Sequence, residues 1–220
     1  MSSFSNTDTG SKPADPYKEK NLEEPSLKEK VEALTSFVDK CKVGLIAPGL
    51  SSAANREQFC MMTTQTSDGL LASRCMALAA KESNGVDFIF HSNSESGKTD
   101  DIKEGGSEIN LGFLNNSGEW ASVSGKATIE TNRDLVKQYY SPALKAWIGD
   151  LGDGKHDGGP EDPRIVLIKV QTHTAQYAVS RGTAIGGFVE VVKGVATGEA
   201  PSVNKLRQLS EAELQQWRSK

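Results

Sequence analysis

The sequence predicts a mainly β protein, an antiparallel barrel with peripheral helices. Three observations carry that expectation. Short apolar segments of period two follow one another closely, separated by Ser/Asp/Gly/Asn turns. Few helical patterns lie between them, so the strand–helix alternation of a doubly wound nucleotide fold is absent. Strands at this spacing expose edges unless the sheet closes, and a small barrel closes it.

The elements follow in order. From Ser26 to about Ile46, "SLKEKVEALTSFVDKCKVGLI" carries Leu27, Val31, Leu34, Phe37, Val38 and Cys41 at helical spacing. Ser26 with Glu29 makes a capping box, so an amphipathic helix is expected here. After a Pro/Gly/Ser linker, "EQFCMMTTQTSDGLLASRCMALAA" reads as two strands joined at Ser67-Asp68-Gly69, the Asp-Gly pair being a hairpin turn. "GVDFIFHSN" and "SEINLGFLNN" are further strands, and "EWASVSGKATIET" is a long one with alternating faces. "NRDLVKQYYSPALKAWIG" is helical in two pieces because Pro142 interrupts it. Asp150 to Pro163 is a Gly/Asp/Pro surface loop whose aspartates lack the calcium-loop spacing. "RIVLIKVQTHTAQYAVS" supplies one or two more strands, and Phe188 to Val195 reads as another. The expected organisation is a disordered tail over residues 1–25, one domain over 26–200, and a loosely attached tail over 201–220.

Composition narrows the function. The chain has 220 residues, with Lys+Arg 25 against Asp+Glu 29 and a net charge of −4. No basic cluster is dense enough to follow a nucleic-acid backbone, so no nucleic-acid partner is expected. No apolar run reaches the length of a membrane span, and the polar N-terminal stretch has no apolar core of a secretory signal. Cys41, Cys60 and Cys75 form no Cys-x-x-Cys, and an odd set of thiols suits a reducing compartment, so a cytoplasmic location is expected. His91, His156 and His173 make no metal-ligand spacing with them, and no metal is expected.

The stretch "FIFHSNSESGKTDDI" (Phe88 to Ile102) ends a strand and begins a helix. Gly97-Lys98-Thr99 imitates the end of a phosphate-binding P-loop, but Ser92 stands where that motif needs its first glycine. A looser anion site survives: Ser96 or Thr99 caps the helix, and Lys98 adds a point charge. Upstream, Arg74 lies in a strand otherwise filled with Leu, Ala, Cys and Met. Such an arginine is costly to bury unless it meets an anion, and its fork suits phosphate. If the two strands pair, Arg74, Ser92, Ser96 and Lys98 converge on one phosphate. The alternatives are an ordinary salt bridge for Arg74 and an ordinary capped helix with a solvated Lys98.

In this order "SRCMAL", "FIFHSNSESGKTDDI" and "EWASVSGKATI" resemble the FMN-binding split barrel of the pyridoxamine 5′-phosphate oxidase-like superfamily, in its general-stress-protein branch, which includes fungal blue-light-induced proteins. The likeness covers roughly Ser26 to Ser180. It implies an antiparallel split β-barrel, a homodimer, and one FMN in each of two interface clefts. By position, Arg74 and Lys98 would hold the FMN phosphate, and Ser92 and Ser96 would donate hydrogen bonds to it. Ser73, Cys75 and Met76 would contact the ribityl chain and ring. His91 stands where the family often has an aromatic ring, and Trp120 near a position that commonly holds a flavin-contacting glutamine. Trp147 lies on the flavin or packs between helices.

The departures bear on activity. Ala79 stands where true pyridoxamine-phosphate oxidases have a lysine, "YYSPALKAW" replaces their Arg-Pro segment, and Arg181-Gly182-Thr183 does not replace their Arg-x-His. Without those groups the chain has no evident clamp for a charged substrate, so vitamin oxidation is not expected. Three readings follow: an FMN-dependent oxidoreductase, a non-enzymatic flavin carrier, and a barrel with no FMN or with a deazaflavin or haem, His91 or His173 being the candidate haem ligands. No residue stands out as a catalytic acid or base.

Overall fold

The computed structural model describes residues 14–44 and 56–220. The Pro/Gly/Ser linker expected after the first helix, and most of the expected N-terminal tail, fall outside these residues. Strands β1 (Lys42–Gly44), β2 (Arg56–Gln65), β3 (Leu71–Glu82), β4 (Asp87–Asn93), β5 (Glu108–Leu114), β6 (Trp120–Glu130), β7 (Ile165–Ser180) and β8 (Asn204–Leu209) form one sheet. The order β2–β3–β4–β7–β6–β5 closes into an antiparallel barrel because β2 also pairs with β5. β1 extends the sheet beside β2, and β8 pairs with β7.

Alternation along the strands fills the barrel. Ile109, Leu111 and Phe113 of β5 and Ala121, Val123 and Ala127 of β6 point inward with Met62, Phe88 and Phe90. Helix α2 (Leu27–Lys40) closes the core, its Ser26 cap accepting the Glu29 N–H at 3.3 Å. The buried face of α2, with Val31, Leu34, Phe37 and Val38, joins the barrel cluster. Each such side chain stabilises by about 1.5–3 kcal/mol. The pairing of β6 with β7 carries a bulge at Ser124/Gly125. A Cβ on Gly125 would lie 2.2 Å from the Gln171 carbonyl oxygen, so the Val-x-Gly-x-Ala strand needs its glycine for close approach.

A second cluster lies outside the barrel wall. Ile89 of β4 and Ile165 and Leu167 of β7 pack against α4 (Arg133–Tyr139) and α5 (Leu144–Ile148), the two helical pieces on either side of Pro142. The connection from α5 to β7 is held by Arg164, whose guanidinium donates to the Gly149 carbonyl at 2.7 Å and to Asp162 at 2.7 Å. Asp162 is fully buried, and this ion pair holds its carboxyl well below the usual carboxylate range, to about 2.

Three expectations need correction. Phe188 to Val195 is not a strand but part of helix α6 (Ala184–Thr197). Thr183 caps its start and Gly198 ends it in the left-handed region, so the caps outweigh the β-branched run. Residues 201–220 are no loose tail, because β8 pairs with β7 and helix α7 (Glu211–Arg218) docks beside it through buried Leu214. Arg207 of β8 is buried and donates to Glu29 at 2.7 Å and Glu23 at 3.1 Å. Residues 16–21 form helix α1 (Pro16–Asn21) instead of disordered tail, and buried Asn21 donates to the Pro201 carbonyl at 2.9 Å.

Candidate functional site

The hairpin of β2 and β3 turns at Thr66–Leu70, and its register sets Arg74 opposite Met62. From there Arg74 reaches back to Thr64, donating to its hydroxyl at 2.7 Å. A second Arg74 nitrogen forms an ion pair with Asp101 at 2.8 Å, and Thr64 donates to the same Asp101 oxygen at 2.8 Å. This triangle joins the barrel wall to the short helix α3 (Gly97–Asp100) and the π-helical turn Asp101–Gly105 that continues it. Arg74 therefore does have the salt bridge that the sequence left open, yet its side chain remains 34% exposed. Its terminal nitrogen lies 3.9 Å from the Cβ position of Gly97, beside Lys98.

The end of β4 supplies hydroxyls to the same place. Ser92 is buried, and its hydroxyl lies 3.2 Å from those of both Ser96 and Thr99. Thr99 ties this turn to the strand by donating to the Asn93 carbonyl at 2.9 Å. Ser96 stands at the N-cap of α3, but its side chain makes no capping bond, and its oxygen accepts instead from Lys98 at 3.0 Å. Burial and, second, the positive charge of Arg74 hold the Lys98 ammonium below its usual range. Lys98 thus feels the Arg74 charge even with Asp101 paired to Arg74, and an anion near both cations is favoured.

Lys98 and Ser92 form one end of a cavity of about 490 Å³, within the range of small-molecule sites. Cys75, Met76, Ala77 and Leu78 of β3 line one side, with Phe59 of β2 and His91 of β4. Tyr139, Ser141, Leu144, Trp147 and Ile148, on and between α4 and α5, make the opposite wall. His91 is pushed down to about 4 by burial, so its ring is neutral at physiological pH. Its Nε2 is buried without a hydrogen-bond partner in the protein, a polar atom left open for a ligand group.

The sequence-derived residues therefore divide. Cys75, Met76, His91, Ser92, Lys98 and Trp147 line one cavity, and Arg74 and Ser96 stand at its Lys98 end. Trp147 is 69% exposed, so packing between helices is not its role. Ser73 and Trp120 do not line the cavity. Ser73 lies on the outer sheet face, bonded to Thr63 at 2.7 Å, and Trp120 lies opposite Leu114 at the start of β6. Sequence reasoning missed Thr64, Asp101 and the Tyr139/Ser141/Leu144/Ile148 wall. Asp101 had a visible signal, a carboxylate one helical turn after the Ser96–Lys98 pair.

The outer face of adjacent strands β3, β2, β5 and β6 has a composition of its own. One row across it runs Cys75, Met61, Gly112, Ser122, and the next runs Ser73, Thr63, Asn110, Ser124. Asn110 donates to Ser122 at 2.8 Å and to Ser124 at 3.1 Å. Neither row contains a charged side chain; Met61 in the first row stays exposed, as does Leu114 beside it. Cys75 belongs both to this face and to the cavity.

Comparison with known proteins agrees with this architecture. The family described as pyridoxamine 5′-phosphate oxidase like matches residues 49–202. Protein bli-3 of Neurospora crassa is 54% identical over 219 residues, covering 98% of this chain and 97% of that protein. Among solved structures, a putative general stress protein 26 from Jannaschia sp. CCS1 superposes with a TM-score of 0.54 at 15% identity, over 82% of this chain and 99% of the other. A protein related to general stress protein 26, from Clostridium acetobutylicum, gives 0.51 at 14% identity, over 70% and 89%. These two structures share the fold.

Proposed function

We propose that this chain, which belongs to the pyridoxamine 5′-phosphate oxidase-like family, binds one FMN per subunit and serves as a flavin-dependent oxidoreductase in a stress or light response. The observation that carries the proposal is the Arg74–Lys98 pair of cations beside the Ser92 and Ser96 hydroxyls, at one end of a cavity large enough for a planar ring. Arg74 and Lys98 hold the phosphate, with Ser92 and Ser96 as hydrogen-bond donors. Thr64 and Asp101 position Arg74 without touching the ligand. Cys75 and Met76 face the ribityl chain and ring, and the orphan His91 Nε2 takes a ring heteroatom as partner.

Bound FMN would supply hydride and single-electron transfer, while the protein sets its orientation and exposure to water. His91 keeps one protonation state above about pH 4, so it gives the ring a fixed hydrogen-bonding group rather than a proton shuttle. The charge-free outer rows meet a second copy of the chain and wall the cavity. Ser73 and Trp120 lie on this surface, so in the dimer they reach the cleft of the partner rather than their own. The proposed location is the cytoplasm, where the buried thiols of Cys41 and Cys60 remain reduced.

A carrier role is the second reading, favoured by Ala79 and the uncharged α4–α5 wall, which leave no clamp for a charged substrate. The test is purification, incubation with FMN, removal of excess, and addition of NADPH. Retained flavin that bleaches repeatedly in air supports the oxidoreductase; retained but inert flavin supports the carrier. A protein that retains no flavin refutes both.

A further inference from the structure

The cavity has one charged end only. Of its lining residues Lys98 alone carries a full charge, His91 being neutral. On the opposite wall the nearby ionic groups are paired with other groups or lie outside the cavity lining. Glu82 accepts from the Tyr139 hydroxyl at 2.8 Å and pairs with Lys169 at 3.1 Å. Lys137 pairs with Glu161 at 2.5 Å and Arg133 donates to the carbonyls of Asp162 and Ile165, while Lys145 is exposed on α5 and is not among the residues lining the cavity. What remains facing the cavity is Ser141, Leu144, Ile148 and the indole of Trp147.

A large aromatic side chain left 69% exposed at a cavity rim marks a surface that a ligand covers. An anionic molecule against this wall would lose its hydration and find no counter-charge among the residues lining it, whereas a neutral ring loses little and gains stacking area. We propose that the α4–α5 wall selects an uncharged, planar aromatic molecule, with Trp147 as the specificity-determining contact. This inference rests on the flavin reading, since it takes the Lys98 end to be filled by the FMN phosphate.

The experiment is equilibrium dialysis of FMN-loaded, full-length protein against 2-naphthol and, separately, naphthalene-2-sulfonate, two rings of one size that differ in charge. The neutral probe is expected to bind about tenfold more tightly, a difference of one decade in Kd. Trp147→Ala, compared with the unaltered protein at equal FMN occupancy read by visible absorbance, should remove most of that binding. Ser141→Arg, at an exposed position, should move the preference toward the sulfonate by supplying the absent cation. Equal or tighter binding of the sulfonate by the unaltered protein, or unchanged 2-naphthol binding in Trp147→Ala, overturns the inference. A chain that takes up no FMN overturns the flavin reading and this inference with it. An FMN-loaded chain without the aromatic preference overturns the inference alone.

Discussion

Asp101 holds Arg74 by a 2.8 Å ion pair, and Thr64 completes the contact by bonding to both partners. The guanidinium is thereby fixed near Lys98, where the hydroxyls of Ser92 and Ser96 also gather. An arginine held in place loses less side-chain entropy when an anion arrives.

Arg74→Ala should weaken FMN binding by about ten- to a hundredfold, the worth of one charge-assisted hydrogen-bonded contact. Lys98→Ala should cost a similar factor, and the double variant less than the product, because removing either cation already relieves the repulsion felt by the other. Flavin fluorescence titration measures all three. Thermal stability should fall as well, because the Asp101 carboxylate, only 12% exposed, loses its counter-charge, so affinities are compared below the unfolding transition of each variant.

The proposed interface predicts a coupling of assembly and binding. Met61→Glu places a carboxylate in the middle of the charge-free outer row, at a side chain 46% exposed in the single chain. Sedimentation velocity should show a dimer for the unaltered protein and monomers for the variant, with FMN retention lost in parallel. A variant that stays dimeric and flavin-bound contradicts the proposed interface.

Acid should destabilise the fold through His91. Its folded pKa of about 4 lies below the unfolded value of about 6.5, so the unfolded chain binds the extra proton between these limits. Stability is therefore complete above about pH 6.5 and falls by up to about 3 kcal/mol as pH drops toward 4. Urea unfolding at several pH values should show that His91→Phe loses less stability on acidification than the unaltered protein.

Gly125→Ala should destabilise by about 3 kcal/mol or more, because the added methyl meets the Gln171 carbonyl and separates β6 from β7 at the bulge. Leu214→Ala, which empties a fully buried position under α7, should cost about 2–4 kcal/mol. A loss below about 0.5 kcal/mol in urea unfolding would mean that α7 is not part of the core.

The barrel strands were legible because half-buried strands print their alternation in the sequence, as in Ile109, Leu111 and Phe113. Ser92, Ser96 and Lys98 were legible for a similar reason, since one turn of chain brings them together. The partnership of Arg74 with Thr64 and Asp101 depends on the register of β2 with β3 and on the docking of the π-helical turn, and neither is a local property. The α4–α5 wall likewise requires two short helices to settle on β4 and β7. Helix α6 was misread because Phe188, Val189, Val191 and Val192 favour strands, while its Thr183 and Gly198 caps lie outside that run. The C-terminal elements had a readable sign in the capping box of Ser210 and Glu213, whose carboxylate accepts the Ser210 N–H at 2.9 Å.

The most direct test of the account is a comparison of FMN with riboflavin, which has the same ring and ribityl chain but no phosphate. Titrated into the protein by flavin fluorescence, FMN should bind at least about a hundredfold more tightly, reflecting two charged contacts. That advantage should shrink most in the variant lacking both Arg74 and Lys98. Equal affinity for the two flavins, or an advantage that survives the loss of both cations, would contradict a phosphate site built on Arg74 and Lys98.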